Sequence, residues 1–127
     1  ESFLFWQHVR LANLAAGPTS VGDATYRPTN AVGGNIGIAS NTAATTQIAG
    51  MSGTYLVCSK GVLGKFALQL DVQMDDGQPC TGSMRAIPDV GNGTTNNVTP
   101  VKAAGAPAAC TGANIDPDTT YTVCMTF

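Results

Sequence analysis

The sequence is poor in charge. Asp, Glu, Lys and Arg make up 11% of its 127 residues, against about a quarter in an ordinary soluble domain. Its six basic residues are scattered and the net charge is −2. No basic patch exists to draw nucleic-acid phosphates or an anionic bilayer, so bulk nucleic-acid binding is not expected. Histidine occurs once, as His8. A hydrolase triad needs a His oriented by a third group, and His8 has no Asp or Cys placed to do this. It reads as a packed or interface histidine, and the chain as a non-enzyme. No apolar run is long enough to cross a bilayer. No C-x-x-C pair occurs either, which leaves structural zinc without its close ligand pairs.

Small residues and polar Thr and Asn fill long stretches instead, yet 43% of the chain is hydrophobic. Disorder goes with high net charge and few apolar residues, so the composition describes one ordered domain with long loops and a small core. Four cysteines, Cys58, Cys80, Cys110 and Cys124, form an even set. That predicts two disulfides and an oxidising, extracytoplasmic compartment. It also argues against a catalytic thiol.

Residues 1–16 (ESFLFWQHVRLANLAA) contain no Gly or Pro and carry apolar residues at helical spacing, with Gln7, Arg10 and Asn13 as a polar edge. Gly17-Pro18 supplies the stop. The helix starts at Ser2, or Glu1 lies within a longer one. Residues 17–53 read as loop, with room for a short strand or a helical turn near Asn35 to Ile38. The Gly33-Gly34-Asn35-Ile36-Gly37 cluster lacks the Lys-Ser/Thr of a phosphate loop and reads as backbone needing positive φ. Residues 54–88 read as antiparallel strands. Thr54 to Cys58 is short, and Lys65 to Asp75 alternates apolar and polar residues over its whole length. Asp76-Gly77 signals a hairpin into a returning strand, Cys80 to Ile87. Residues 89–118 read as loop and Thr119 to Phe127 as the last strand. The predicted fold class is α+β: an amphipathic helix on an antiparallel sheet of about four strands, with two disulfides.

In that last strand Tyr121, Val123, Met125 and Phe127 share one face, which leaves Cys124 on the Thr face. Three connectivities are open to four cysteines. A cysteine on the wet face suits a bridge pinning an outer loop, so Cys110 is the expected partner of Cys124, and Cys58 pairs with Cys80 across strands. Asp71, Asp75 and Asp76 are candidate calcium ligands, as are Asp116 and Asp118. Each group also fits ordinary turn chemistry, and neither has EF-hand spacing. Phe3, Phe5 and Trp6 span too wide an arc for one small sheet, which makes them candidate contacts to a partner subunit.

The order of these features resembles the heads of type IV pilins and type II secretion pseudopilins. ESFLFWQHVRLANLAAG is similar to the helix end of some prepilin-type proteins, where it precedes a PTN…GG loop, here PTNAVGGNIGI from Pro28. GKFALQLDVQMDDGQPCTGSMRA resembles their central hairpin, and Cys110 to Cys124 resembles their C-terminal disulfide loop. The resemblance implies a pilin-like head in which 1–16 is the second half of a long helix, 17–53 the αβ-loop, 54–88 the central strands and 89–127 the disulfide-bounded loop and last strand. It also implies identical or related pilin subunits as partners. A preceding apolar stem would hold the subunit in the bacterial inner membrane before assembly into an extracellular or periplasmic filament. The alternative is a secreted adhesin or carbohydrate-binding module.

Overall fold

The computed structural model describes residues 3–40, 51–89 and 115–127. Its elements are α1 (Phe5–Leu11), β1 (Ile36–Ser40), β2 (Tyr55–Leu63), α2 (Gly64–Met74), β3 (Met84–Pro88) and β4 (Thr120–Thr126). The four strands form one antiparallel sheet in the order β1-β2-β4-β3. The α+β class and the four-stranded antiparallel sheet are as predicted. Among the described residues no helix is long and apolar enough to cross a membrane.

The first helix is shorter than its periodicity suggests. Asn13 takes φ 59°, a left-handed conformation that Asn tolerates better than most residues. The Asn13 N–H donates to the Arg10 carbonyl and the Leu14 N–H to the Val9 carbonyl. That pair of bonds is a Schellman ending, with Asn13 in the role expected of Gly17.

The largest correction concerns Lys65 to Asp75, which is the helix α2 and not a strand. Its buried positions are Gly64, Ala67 and Asp71, which recur at helical spacing. The alternating set Phe66, Leu68, Leu70, Val72 and Met74 is exposed. Ala, Leu, Gln, Lys and Met dominate the segment and all favour helix, while Val72 is its one β-branched residue. The N–H groups of Gly64 and Lys65 donate to the carbonyls of Thr119 and Pro117, so the segment leading into β4 caps the helix. Asp76-Gly77 therefore turns the chain out of a helix rather than closing a hairpin, and β3 pairs with β4.

It is α2 that packs against β2, β3 and β4. Val62, Ala67, Met84, Ala86, Tyr121 and Val123 form the core between them. The register pairs Val62 with Tyr121 and Ala86 with Val123, so these side chains share one face. A second cluster, Met51, Leu56, Cys58 and Cys124, lies on the other. The N-terminal helix does not provide the layer expected of it. Its first turn faces Ile38, Ala39 and Ser40 of β1 and Tyr55 of β2 across a cleft.

The cysteine pairing also differs from expectation. One disulfide is described rather than two, and it joins Cys58 to Cys124. The two are register partners on β2 and β4, with Cα atoms 4.0 Å apart. The reason is that β4 is an inner strand. Thr122, Cys124 and Thr126 are all buried, so the Thr face is not wet and Cys124 pins strand to strand. Neither Cys110–Cys124 nor Cys58–Cys80 is the bond formed. Cys80 is disulfide-bonded and not a free thiol, and Cys110 lies outside the described residues.

Candidate functional site

The acidic group at the end of α2 is the densest concentration of chemistry among the described residues. Asp71 lies on the buried face of the helix, Asp75 is its C-cap and Asp76 follows. The Asp75 N–H donates to the Asp71 carbonyl at 2.8 Å, which holds the last turn closed. One oxygen from each of the three carboxylates lies within 4.8 Å of the others.

The three carboxylates are held differently. Asp76 accepts a 2.7 Å hydrogen bond from the Thr81 hydroxyl and a 2.8 Å bond from the Gln78 N–H. These bonds, the hydroxyl's first, keep its carboxyl below the usual range. Asp75 accepts from the Met84 N–H at 2.7 Å, joining the helix end to the first residue of β3. Gly82, at φ 67°, lets the intervening loop pass close by; a Cβ there would strike the Asp75 carboxylate. Asp71 is 0% exposed, and neither of its carboxylate oxygens has a hydrogen-bond partner. Burial, then Asp76, then Asp75 push its carboxyl up to about 6.

The other predicted calcium residues are not gathered in this way. Asp116 accepts from the Asp118 N–H and the Thr119 hydroxyl, which is turn chemistry. Among the described residues the group of ligating side chains is Asp71, Asp75 and Asp76 alone.

The aromatic residues near the start are divided. Phe3 is exposed, with its ring 5.6 Å from that of Tyr26 and the Arg27 guanidinium 5.2 Å from it. Phe5 and Trp6 are half-buried and meet edge to face at 5.1 Å. Leu4, Phe5 and His8 line one side of a cleft of about 560 Å³, with Ile38, Ala39, Ser40 and Tyr55 also lining it.

Sequence reasoning missed two residues that organise this end. Arg10 is buried and donates to the carbonyls of Ala16, Pro18 and Tyr26 at 3.1, 2.8 and 2.6 Å. Its guanidinium also lies 5.4 Å from the Tyr26 ring. The Tyr26 hydroxyl donates to the Phe3 carbonyl and accepts from the Gln7 N–H, so it caps a helix that has no side-chain cap of its own. Arg10 is the one Lys or Arg in residues 1–16, and that was the available signal. Asn30 does similar work for the PTN…GG segment. Its amide NH₂ donates to the Ser59 hydroxyl and the Lys60 carbonyl, and its oxygen accepts from the N–H groups of Val32 and Gly34. No family model, curated protein or solved structure matches the chain.

Proposed function

We propose that this chain is the head domain of a structural filament subunit of the type IV pilin or pseudopilin class, acting outside the cytoplasm and contacting other subunits through the face around α1. The observation that carries this reading is how that helix is held. Polar bonds from Arg10 and Tyr26 anchor it, while Phe3, Leu4, Leu11 and Leu14 stay exposed, Leu11 at 67% and Leu14 at 80%. Apolar side chains displayed at both ends of a firmly held helix suit contact with another chain. The motif order of the sequence and a cross-strand disulfide suited to an oxidising compartment support the same reading. A second reading, a secreted adhesin or carbohydrate-binding module, is favoured only by the cleft, which an exposed Tyr55 lines together with His8 and Ser40.

The test uses cells that make the protein. Antibody against the chain should decorate sheared surface filaments in electron micrographs. Leu11→Lys with Leu14→Lys should cut its incorporation at least tenfold while leaving the melting temperature of the purified chain within about 2 °C, as for other exposed positions. Recovery of the chain only as a soluble monomer, with undecorated filaments, counts against the reading. Specific capture on a glycan array would favour the second.

A further inference from the structure

The geometry points to a divalent-cation site at the end of α2, with Asp71, Asp75 and Asp76 supplying carboxylate oxygens and calcium as the ion whose chemistry fits. Two independent observations meet here. Three carboxylates converge to within 4.8 Å of one another. One of them, Asp71, is wholly buried and directed into that group with both oxygens unpartnered. Buried polar groups are almost always satisfied, and an ionised carboxylate without a partner is among the costliest groups to bury. A bound cation answers that requirement and offsets the repulsion of its neighbours.

The donors are all oxygen, which selects a hard cation over zinc or copper. Calcium accepts six to eight oxygens in flexible geometry, whereas magnesium demands a near-ideal octahedron. Carboxylates drawn from a helix, its cap and the following turn suit the former. The C-terminal end of α2 adds a negative partial charge of its own. Asp75 accepts from Met84 through one oxygen, and Asp76 accepts from Thr81 through one oxygen and from Gln78 through the other; a carboxylate oxygen can both accept a hydrogen bond and ligate. The inference concerns this chain's own side chains and does not depend on the filament reading.

The test is calcium titration of the intact chain after chelator treatment, followed by calorimetry and by melting temperature. Wild type should bind one calcium ion per chain with a dissociation constant of about 10⁻⁶ to 10⁻³ M. At a hundredfold excess over that constant it should melt about 5–10 °C higher than in chelator. Magnesium at the same concentration should give less than half that rise. Asp71→Asn keeps the side chain's volume and should weaken calcium binding at least tenfold. Asp76→Asn is the second variant and should weaken it similarly. The inference is overturned if wild type shows no saturable heat and no thermal shift up to about 10 mM calcium, roughly ten times the weakest dissociation constants of protein sites. It is overturned equally if both variants bind as wild type does. If Asp71→Asn simply raises the melting temperature in chelator and no binding occurs, Asp71 is a protonated core carboxyl and the site does not exist.

Discussion

Replacing Cys58 and Cys124 together by alanine tests the central feature of the sheet. The two residues are 66 positions apart. Closing a loop of that size in the unfolded chain removes conformational entropy worth about 4 kcal/mol. Cys80 is disulfide-bonded as well, which shortens the effective loop, but halving the loop lowers the figure by only about 0.6 kcal/mol. Both sulfurs also lie in a buried cluster with Leu56 and Met51, so their removal costs some packing. The double variant should be about 3–5 kcal/mol less stable in urea without reductant and melt roughly 10–20 °C lower. Pairing is checked by cleavage before aspartate, which places each cysteine in its own peptide: 23–70, 76–88, 89–115 and 118–127. Peptide 118–127 should be joined to 23–70. Finding it joined to 89–115, or a stability loss below about 1 kcal/mol, would refute the reasoning.

Arg10→Ala should destabilise the chain by about 2–4 kcal/mol, because three carbonyls around a buried guanidinium lose their donor together. Arg10→Lys should recover less than half, since an ammonium cannot reproduce the planar fork; urea denaturation of both checks this, and full recovery with Lys would contradict it. Two exposed carboxyls set part of the acid sensitivity. Asp23 is held below the usual range by the Thr25 hydroxyl and N–H, and Asp116 by the Asp118 N–H and the Thr119 hydroxyl. A carboxyl depressed in the folded state contributes stability above its unfolded value that is lost as pH falls through its folded value. Asp23→Asn with Asp116→Asn should therefore flatten the stability curve below about pH 4 and leave it parallel to wild type at neutral pH, as followed by circular dichroism.

The class of fold was legible because it rests on local signals: one helical arc at the start, a period-two run at the end, and turn residues between. What failed was whatever depended on which elements become neighbours. Residues 65–75 carry an apolar alternation that reads as strand, but Ala67 and Asp71, four apart, are what the fold buries. The excess of Leu, Gln and Met over β-branched residues was the better guide. Alternation puts Cys124 on the Thr face, yet the wetness of that face depends on β4 lying between β2 and β3. No local pattern encodes that insertion. Asp71, Asp75 and Asp76 stand out in the sequence by their close spacing alone. Their arrangement was invisible until α2 was a helix, since in a strand Asp71 and Asp75 share the wet face rather than reaching into a buried one. Gly34 has a similar history. It read as turn flexibility, and its requirement is the close approach of the Lys60 carbonyl, where a Cβ would strike.

The topology assigns each part of the domain to a different chemistry. The chain leaves β2 through α2, reaches the far edge at β3, and returns to lay β4 in the gap. The β2–β4 pairing is thus the strand pairing of longest sequence separation, and it carries the disulfide. The path from α2 to β3 makes a sharp reversal, and Asp75 bridges it through the Met84 N–H. The start of the chain is tied to the loop before β1 by Arg10 and Tyr26. Removal of the Cys58–Cys124 bond should therefore act first on the inner strand pair, and substitution of Arg10 on α1. Hydrogen exchange resolves these responses. Strands β2 and β4 should lose protection in the Cys58→Ala, Cys124→Ala variant while α1 keeps its own, because the bonds that hold α1 run to residues 16–26 and not to the sheet. Simultaneous loss of protection in α1 and β4 would mean that the helix depends on the sheet after all, through the cleft face it shares with β1.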